Sequence, residues 1–494
     1  MSQPLFIGID IGTQGTKTVL CTADGNVISE AFMASILIRP DDNTVYEDAN
    51  RIFTSVLDTI KETIEKSGVS GKDIQAIGID GQMAGIMGIN SNFDAVTYFD
   101  SWLDNRCSKY TELVKKEVGN DCIKLSGGQI INAHSSKILW WKNEQPDAYK
   151  KIEKFVMPNG YVAGKLCGLK SNDAFIDYTF LHFNNFSDNL NLRFNNEMLS
   201  LFGVESKKMP KIVSPDTIIG KVAHEYAEYC GLSEDTLVIA GCGDTAASSL
   251  GAGITAPGLA YDVAGTASVF ACCTDEFTPD IENKTILFSR NVVDGLFMPL
   301  AYVSGGGLTL KWFSSLVSKD LKYLDSVAAE IPIGSNGITF IPHFSGRTCP
   351  LDTSVTGAFL GLTQQSDEKS MYRAILESLA CEYSYYFGII RKCGCIKELS
   401  AIYGVGGGAK SKVFSKIKAD VLGSKYLIAE NVCSAPTAMA KLAAYATINS
   451  GASICDIFKP DDKNVICVDY DIKRTDKYRA VTDRYINALN HIEF

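Results

Sequence analysis

Two short turns, one near each end of the chain, have the composition of a phosphate-binding turn. The first lies in residues 7–17 and the second in residues 261–268; each is an apolar run ending in Gly-Thr, with an Asp two or three residues before the glycine. Glycine lets the backbone turn sharply beside a ligand, and free backbone N–H groups in such a turn form an anion-binding nest. Two of them, about half the chain apart, predict two related lobes that clamp one polyphosphate.

Two charged residues accompany the first turn. Asp10 ends the predicted strand before it, and a carboxylate there can hold Mg²⁺ through water, because Mg²⁺ keeps much of its hydration shell. The alternative is an Asp that caps the turn by bonding its own backbone. Lys17 follows the turn and can meet a phosphate oxygen as a point charge, or it is a solvated strand residue.

Asp244 is the candidate catalytic residue. It lies in the sequence Gly-Cys-Gly-Asp-Thr, where an apolar strand is predicted to become a helix. The flanking glycines leave room for a substrate, and we expect the helix N-terminus to favour the ionised carboxylate. In phosphoryl transfer one carboxylate accepts the proton of the attacking hydroxyl group. The alternative role is an N-cap, and the two roles are compatible.

Three further segments offer binding groups. Residues 404–411 form a glycine loop between a predicted strand and a helix, which suits close approach to a ribose or base, or alternatively tight packing of that helix on the strand. It does not match a P-loop and lies too late to open a Rossmann unit. Residues 80–83 and 102–106 offer polar groups and an aromatic face that suit a polyol; the alternative is a structural turn with an Arg–Asp pair.

The elements that position these residues begin with strand–strand–strand–helix–strand. Periodicity predicts strands at 5–11 and 16–21, a turn at 23–26 into a third strand, a helix capped by Asp48 and stopped at Gly68, and a strand at 74–80. Further along we expect helices with loops over 110–235, a strand at 237–240, a helix at 246–253, a strand-rich region at 258–303, a strand at 401–404, and helices at 308–319, 367–391 and 411–422.

Bulk properties narrow the class of protein. The chain has 494 residues, of which 46% are apolar and 21% charged, which suits a globular protein of two or three domains. A net charge of −10 argues against nucleic acid as the main partner. We see no signal peptide and no membrane-spanning run, and the 15 scattered cysteines are typical of reduced thiols, so we expect a cytoplasmic protein. We place the domain boundary near residue 250, with domains at 1–250 and 251–494.

Taken together, these segments resemble the FGGY carbohydrate kinases of the actin-like ATPase superfamily. Residues 7–17 and 263–268 resemble the two phosphate motifs, residues 77–82 the first connecting segment, residues 403–411 the adenosine motif, and residues 241–253 the segment with the catalytic Asp, here Asp244. The two diagnostic family patterns are also present, at residues 137–144 and 357–377. Departures from these patterns occur at Asn132, His134, Trp141 and Ser370.

The resemblance implies a fold and a set of site residues. The fold would be α/β, with two ribonuclease-H-like domains built on mixed sheets and an interdomain cleft that binds ATP and Mg²⁺. The phosphates would be held by Thr13, Gln14, Gly15, Lys17, Gly265 and Thr266, with Asp10 on the water shell of the metal. The adenine side would use Gly307, Lys311, Gly407, Gly408 and Ser411, and the sugar would lie against Gln82, Met83, Asp104 and Asp244.

Residues 81–83 and 102–106 look most like the xylulose kinase branch. That branch usually has His where this chain has Ala84, and Asn where it has Thr245. We therefore expect a ketopentose such as xylulose or a related small polyol, with ribulose, erythritol, glycerol and gluconate as alternatives. A non-kinase ATPase of the actin or heat-shock type is the competing class, and it does not explain the polyol-like segments. We expect no nucleic-acid or membrane partner, and a homodimer is one assembly to consider.

Overall fold

The computed structural model describes residues 3–265, 267–344, 346–429, 433–448, 451–459 and 465–491. Its strands are β1 (Leu5–Gly12), β2 (Gly15–Thr22), β3 (Val27–Ala34), β4 (Tyr46–Glu47), β5 (Ile74–Gly81), β6 (Met87–Ile89), β7 (Phe99–Asp100), β8 (Lys154–Val156), β9 (Phe175–Asp177), β10 (Ser187–Asp188), β11 (Arg193–Phe194), β12 (Lys211–Val213), β13 (Ile218–Lys221), β14 (Leu237–Ile239), β15 (Cys242–Gly243), β16 (Leu259–Ala264), β17 (Ser268–Cys272), β18 (Leu287–Arg290), β19 (Phe297–Val303), β20 (Thr339–Ile341), β21 (Arg347–Thr348), β22 (Leu351–Asp352), β23 (Ala358–Leu360), β24 (Ala401–Val405), β25 (Tyr426–Ala429) and β26 (Val465–Val468).

The helices are interspersed among these strands along the chain. They are α1 (Ala49–Ser67), α2 (Ser108–Glu117), α3 (Gly119–Ser126), α4 (His134–Glu144), α5 (Pro146–Lys151), α6 (Pro158–Leu166), α7 (Asn196–Leu201), α8 (His224–Cys230), α9 (Asp244–Gly251), α10 (Gly306–Val317), α11 (Leu321–Ala328), α12 (Glu368–Cys393), α13 (Lys412–Leu422), α14 (Ala435–Thr447), α15 (Ile454–Phe458) and α16 (Ile472–His491). Short 3₁₀ turns occur at Gly71–Asp73, Ser171–Asp173, Tyr178–Phe183, Ser206–Lys208, Ser335–Gly337 and Gly407–Lys410.

The chain folds into two compact units. The first comprises Met1–Thr255, Ser289–Leu296 and Cys433–Lys459, and the second comprises Ala256–Phe288, Phe297–Val432 and Pro460–Phe494. A single cut near residue 250 therefore describes most of the chain, but two later segments return to the first unit.

The first unit is built on a mixed sheet with the strand order β13-β14-β5-β1-β2-β3, in which β15 also pairs with β5. Strands β1, β2 and β3 are mutually antiparallel, β5 is parallel to β1 and to β14, and β13 is antiparallel to β14. This matches the predicted opening, because a helical crossover is needed to bring β5 parallel to β1.

The second unit repeats this arrangement. Its sheet has the order β18-β19-β17-β16-β24-β25-β26. Strands β19, β17 and β16 are antiparallel, β24 is parallel to β16 and β25, and β26 is antiparallel to β25. Apart from β18, each strand therefore has a counterpart of the same order and sense in the first sheet.

Helix α1 covers one face of the first sheet. Asp48 caps it by accepting hydrogen bonds from two backbone N–H groups of its first turn, and Gly68 ends it in the left-handed conformation, as predicted. Its buried apolar residues recur at helical spacing: Ile52, Val56, Ile60 and Ile64. Two hydroxyl pairs tie the helix to β2: Thr16 with Ser55, which is part-buried, and Thr18 with Thr59, which is buried.

Helix α14 covers the other face and requires two glycines. A Cβ at Gly8 would lie 1.6 Å from the Pro436 carbonyl oxygen, and a Cβ at Gly78 would lie 2.3 Å from the Met439 carbonyl oxygen. Only glycine therefore permits this helix to lie so close to β1 and β5. Because α14 is far along the chain from these strands, the local sequence did not predict this contact.

Residues 110–235 hold more than the predicted helices and loops. They form helices α2–α8 and also short strand pairs, such as β9 with β12 and β10 with β11. A separate apolar core holds this region together; its largest fully buried members include Phe155, Phe180, Phe186 and Tyr178. In the described part of the chain, no helix is long and apolar enough to cross a membrane.

Candidate functional site

The hairpin between β1 and β2 forms the first predicted phosphate-binding turn. Gly12 and Gly15 are paired across it. A Cβ at Gly15 would lie 2.3 Å from the Met33 carbonyl oxygen, so the position requires glycine. Ser35 fixes the turn from outside, since its N–H donates to the Gln14 carbonyl at 3.0 Å and its hydroxyl to the Gly12 carbonyl at 3.3 Å. Both hydrogen bonds use carbonyl groups of the turn, so Ser35 holds the turn in place without occupying the turn's backbone N–H groups.

Thr13 lies at the tip of the turn and contacts the predicted sugar segments. Its hydroxyl accepts a hydrogen bond from Trp102 Nε1 at 2.9 Å and donates one to Gln82 Oε1 at 3.4 Å. The backbone N–H of Gln82 donates to the Ile11 carbonyl at 2.9 Å. Residues assigned by sequence to phosphate and to sugar are thus brought together. Gln14 is exposed.

Lys17 lies on β2 directly across from Asp10. Its ammonium forms an ion pair with Glu30 at 2.8 Å, and the side chain is 36% exposed. Lys17 is therefore close to a solvated strand residue, which was the alternative interpretation of its sequence position. A phosphate would have to compete with Glu30 for this lysine.

A cluster of carboxylates lies at the ends of β1 and β5. Asp10 and Asp80 are register partners on these neighbouring parallel strands, so their side chains share one face of the sheet. Asp80 is fully buried, and among the described residues its carboxylate oxygens accept no hydrogen bond from a backbone or neutral side-chain donor; the group beside them is the Asp10 carboxyl, with which Asp80 can share a proton. Burial, followed by the charges of Asp10 and Asp244, raises the pKa of Asp80 well above its usual value. Burial also raises the pKa of Asp10.

Asp244 is the first residue of helix α9. The preceding Gly243 occupies the N-cap position, so the N-cap role considered for Asp244 is wrong. Its carboxylate accepts hydrogen bonds from the N–H and the hydroxyl of Thr245, at 2.5 and 3.1 Å. The residue is half-buried and lies at the strand–helix junction that the sequence predicted.

The charge state of Asp244 differs from the expectation. Burial, followed by the charge of Asp10, raises the pKa of Asp244 to about 7. The hydrogen bonds from Thr245 at the helix start lower it, as predicted, but they do not outweigh the other two effects. A carboxyl group with a pKa near neutrality is suited to accept a proton and release it.

Two residues brace the loop that carries Asp244. The N–H of Gly243 donates to the Thr179 hydroxyl at 2.9 Å, and that hydroxyl donates to Asp177 at 2.5 Å. A Cβ at Gly243 would lie 2.4 Å from Met83 Cε, so Met83 packs directly against this glycine. The predicted sugar residue Met83 and the predicted base are therefore neighbours.

Asp104, like Gln82 and Met83, is buried, and its carboxylate is occupied by structural partners. It is 2% exposed, and its carboxylate accepts hydrogen bonds from the Val45 N–H at 2.8 Å and from Arg106 Nε at 2.8 Å. Arg106 also binds Asp100 at 2.6 Å and stacks on the Trp140 ring at 4.1 Å. The Arg–Asp pair considered as the structural alternative is thus present.

The predicted adenine-side residues come together within the second unit. The N–H of Gly307 donates to the Gly265 carbonyl at 2.9 Å. A Cβ at Gly408 would lie 2.8 Å from Ala264 Cβ, whereas a Cβ at Gly407 would meet nothing within 4 Å. The loop thus packs tightly at Gly408, whereas Gly407 has open space beside it.

Three other predictions concern the same unit. Ser411 caps α13 by accepting a hydrogen bond from the Phe414 N–H, which supports the strand-to-helix interpretation. Lys311 is exposed on α10. Thr266 lies outside the described residues.

The carboxylates suit a hard cation. Among the described residues, no group of three or more His, Cys, Asp or Glu side chains is placed to hold a metal ion directly. The carboxylate oxygens of Asp80 beside Asp10 nevertheless supply the oxygen donors that Mg²⁺ prefers, and they fit an ion held through its water shell.

Sequence reasoning missed the buried carboxylates Glu47 and Asp177, and it gave Asp80 only as part of the polar segment 80–83, without linking it to Asp10. The position of Asp80 at the end of an apolar run that pairs with the Asp10 strand was a usable signal. Glu47 and Asp177 lie in short strands with no motif, and only tertiary contacts link them to Gln82 and Thr179.

Comparison with known proteins supports the family resemblance. Residues 5–251 match the FGGY family of carbohydrate kinases, N-terminal domain, and residues 261–447 match the C-terminal domain of the same family. A xylulose kinase of Bacillus subtilis (strain 168) is 25% identical, over 98% of this chain and 96% of its own. A gluconokinase of the same strain is 26% identical, over 99% of this chain and 96% of its own.

The fold also has solved counterparts. The crystal structure of ligand-bound xylulose kinase from Lactobacillus acidophilus superposes with a TM-score of 0.90 and 23% identity, covering 99% of both chains. This confirms the predicted fold class, two α/β domains with mixed sheets of the actin-like ATPase type. With both family domains matched, the chain belongs to the FGGY family of carbohydrate kinases, ATP-dependent enzymes that transfer a phosphoryl group to a hydroxyl group of a small-molecule sugar.

Proposed function

We propose that the acceptor is a small neutral sugar, a ketopentose such as xylulose or a related polyol, with Asp244 as the general base. The observation that carries this proposal is the packing of Met83 against Gly243, directly before Asp244. Gln82 connects the same segment to Thr13 in the phosphate turn. A sugar hydroxyl held at Met83 would therefore be near both the base and the phosphate turn.

The charges around the segment favour a neutral acceptor over a sugar acid. Arg106 is engaged by Asp100 and Asp104, at 2.6 and 2.8 Å. The ammonium of Lys137 is buried and donates to the Ser101 carbonyl at 2.6 Å. These two cations are thus already neutralised or satisfied. A gluconate carboxylate would enter a region rich in acidic side chains, and desolvating an unpaired charge there is costly.

Each residue has a distinct role in the proposed reaction. Asp244 accepts the proton of the attacking hydroxyl group, while Thr179 and Asp177 hold the backbone before it. Asp10, with Asp80 beside it, would hold Mg²⁺ through water. When bound, Mg²⁺ neutralises the charge of the phosphate oxygens.

ATP binding would use two groups of residues. In the first unit the backbone of Gly12–Gly15 offers N–H groups to the phosphates, with Lys17 as a nearby cation. In the second unit the family resemblance assigns Gly265, Gly307, Gly407, Gly408 and Ser411 to nucleotide binding. Lys311 and Thr266 belong to this proposal through the family motif alone.

Ribulose, erythritol, glycerol and gluconate are the alternative acceptors within the family. The two relatives from Bacillus subtilis, a xylulose kinase and a gluconokinase, are 25% and 26% identical, so identity does not choose between them. The absence of the branch's usual His at Ala84 argues for a changed set of hydrogen bonds to the sugar.

The experiment is a coupled ADP-release screen over ketoses, polyols and aldonates with Mg-ATP. We expect the highest kcat/KM for a ketopentose or another small neutral polyol. A strong preference for gluconate would contradict the proposed acceptor class. ADP release that no acceptor stimulates would contradict the proposed function as a whole.

A further inference from the structure

A continuous chain of hydrogen bonds links the phosphate turn to a buried carboxylate. Trp102 Nε1 donates to the Thr13 hydroxyl at 2.9 Å, that hydroxyl donates to Gln82 Oε1 at 3.4 Å, and Gln82 Nε2 donates to Glu47 Oε1 at 2.7 Å. The chain thus runs from an exposed Trp to a side chain that is 4% exposed. No role follows for Glu47 from the reaction described above.

Glu47 is rigidly tied to the predicted sugar segment. Strand β4, which carries it, pairs with β7, and Glu47 lies opposite Phe99. Just before it, Val45 accepts from the Ser101 N–H at 3.0 Å and donates to Asp104 at 2.8 Å. A displacement of residues 101–104 by a ligand would therefore be transmitted to Glu47.

Glu47 also supports the phosphate turn from a second side. Burial raises its pKa, while hydrogen bonds from Gln82 and Ser35 lower it. Ser35 is the residue that bonds to the Gly12 and Gln14 carbonyls. The carboxylate therefore lies beside Gln82 and beside Ser35, whose single hydroxyl proton goes either to the Gly12 carbonyl or to Glu47.

The chemistry of Glu47 determines how Gln82 is oriented. An ionised carboxylate only accepts hydrogen bonds, so the amide NH₂ of Gln82 must face it and the amide oxygen must face Thr13. The Thr13 hydroxyl must then donate to Gln82 while it accepts from Trp102. Without the carboxylate, the Gln82 amide is free to flip and present its NH₂ group to Thr13 instead.

We propose that Glu47 is a positioning residue that couples acceptor binding to the phosphate turn by fixing the orientation of Gln82. This inference rests on the proposed function of the site. Trp102 is 48% exposed, so an acceptor that contacts its indole ring can withdraw it from Thr13. The Thr13 hydroxyl then keeps only its hydrogen bond to Gln82, whose amide is oriented by Glu47. This bond fixes the direction of the Thr13 hydroxyl for nucleotide binding.

The test is the coupling between the two ligands in the full-length protein. The affinity of a non-hydrolysable ATP analogue is measured by calorimetry with and without the acceptor that gives the highest ADP release. Glu47→Met keeps the length of the side chain but removes its acceptor oxygens, whereas Glu47→Gln keeps one. Asp188→Asn is the matched control, because Asp188 is 3% exposed in the same unit and is bonded to Asn191 and Arg193.

We expect the acceptor to tighten analogue binding at least about fivefold in the wild type and in Asp188→Asn. We expect the factor to fall to about one in Glu47→Met and to be partly retained in Glu47→Gln. Equal coupling in the wild type and Glu47→Met would overturn the proposal, as would a wild type without coupling. Thermal unfolding midpoints of both variants are measured as well. If Glu47→Met and Glu47→Gln have equally lowered midpoints and lose coupling to the same extent, the role of Glu47 is structural, and the proposal is also overturned.

Discussion

At the scale of single residues, the proposed function depends on the environment of Asp244, the proposed general base. A free aspartate is too weak a base to take a proton from a hydroxyl group efficiently, and a raised pKa improves the match. Here burial and the charge of Asp10 supply that increase, while the hydrogen bonds from Thr245 oppose it. The same carboxylate cluster that suits a cation therefore also adjusts the base.

This environment predicts a pH dependence. Asp244 acts as a base only when it is deprotonated, and its pKa lies at about 7. We therefore expect kcat/KM to rise with pH through a limb near 7 and to level off above it. Thr245→Val removes a hydrogen bond that favours the charged form, so we expect its limb at higher pH. A wild-type profile that is flat between about pH 6 and 8 would contradict this assignment.

A substitution at Ala84 is predicted to change the substrate preference. Its backbone is already left-handed, with φ at 61°, and it lies between Met83 and the Gly85 that packs on Phe99. Ala84→His would restore the donor that the xylulose kinase branch usually has here, worth about 1–3 kcal/mol for a buried hydrogen bond to a sugar oxygen. We expect the ratio of kcat/KM for D-xylulose over other polyols to rise about tenfold or more. An unchanged ratio across the sugar panel would show that residue 84 does not face the acceptor.

At the scale of elements, the first sheet positions the site by close packing on α14. The ends of β1 and β5 carry Asp10 and Asp80, and the middles of the same strands carry the glycines that accept the helix. A change that pushes α14 away from the sheet would therefore displace both carboxylates.

This packing predicts an effect of a single methyl group. Gly8→Ala would place a Cβ 1.6 Å from a backbone oxygen of α14, so we expect a loss of at least about 2 kcal/mol of stability. Gly388→Ala is the control, because its Cβ would meet nothing within 4 Å inside helix α12, where alanine is favoured by about 0.5–1 kcal/mol. Thermal unfolding midpoints should fall for the first variant and not for the second. Equal midpoints would contradict the packing described for Gly8.

Local signals predicted the opening elements well, and long-range contacts account for what they missed. The order of β1, β2, β3, α1 and β5 followed from apolar periodicity, the Asp48 cap and the Gly68 stop. The strand at 237–239 and the helix starting at Asp244 were also predicted, within a few residues. The return of α14 to β1 could not be predicted, because its apolar face alone does not identify which sheet it covers.

At the scale of the whole molecule, the two sheets share strand order and strand sense. The sequence signal for this duplication was the pair of Gly-Thr turns, which lie after β1 in one unit and after β16 in the other. Family membership was accessible from such motifs, and the nucleotide-binding segments stay a prediction from them. The contacts of Glu47 with Gln82 and of Asp177, through Thr179, with Gly243 were not accessible, because each joins residues distant in sequence.

The central claim is that Asp244 takes the proton from the acceptor hydroxyl in an ATP-dependent sugar kinase. The most direct measurement compares wild type, Asp244→Asn and the control Asp216→Asn, a carboxylate of similar exposure in the same unit. Phosphoryl transfer to the best acceptor and the affinity for an ATP analogue are measured on the same samples. We predict that Asp244→Asn keeps analogue affinity within about threefold but loses at least about a thousandfold in kcat, while Asp216→Asn loses neither. Phosphorylation by Asp244→Asn at the wild-type rate would contradict the account.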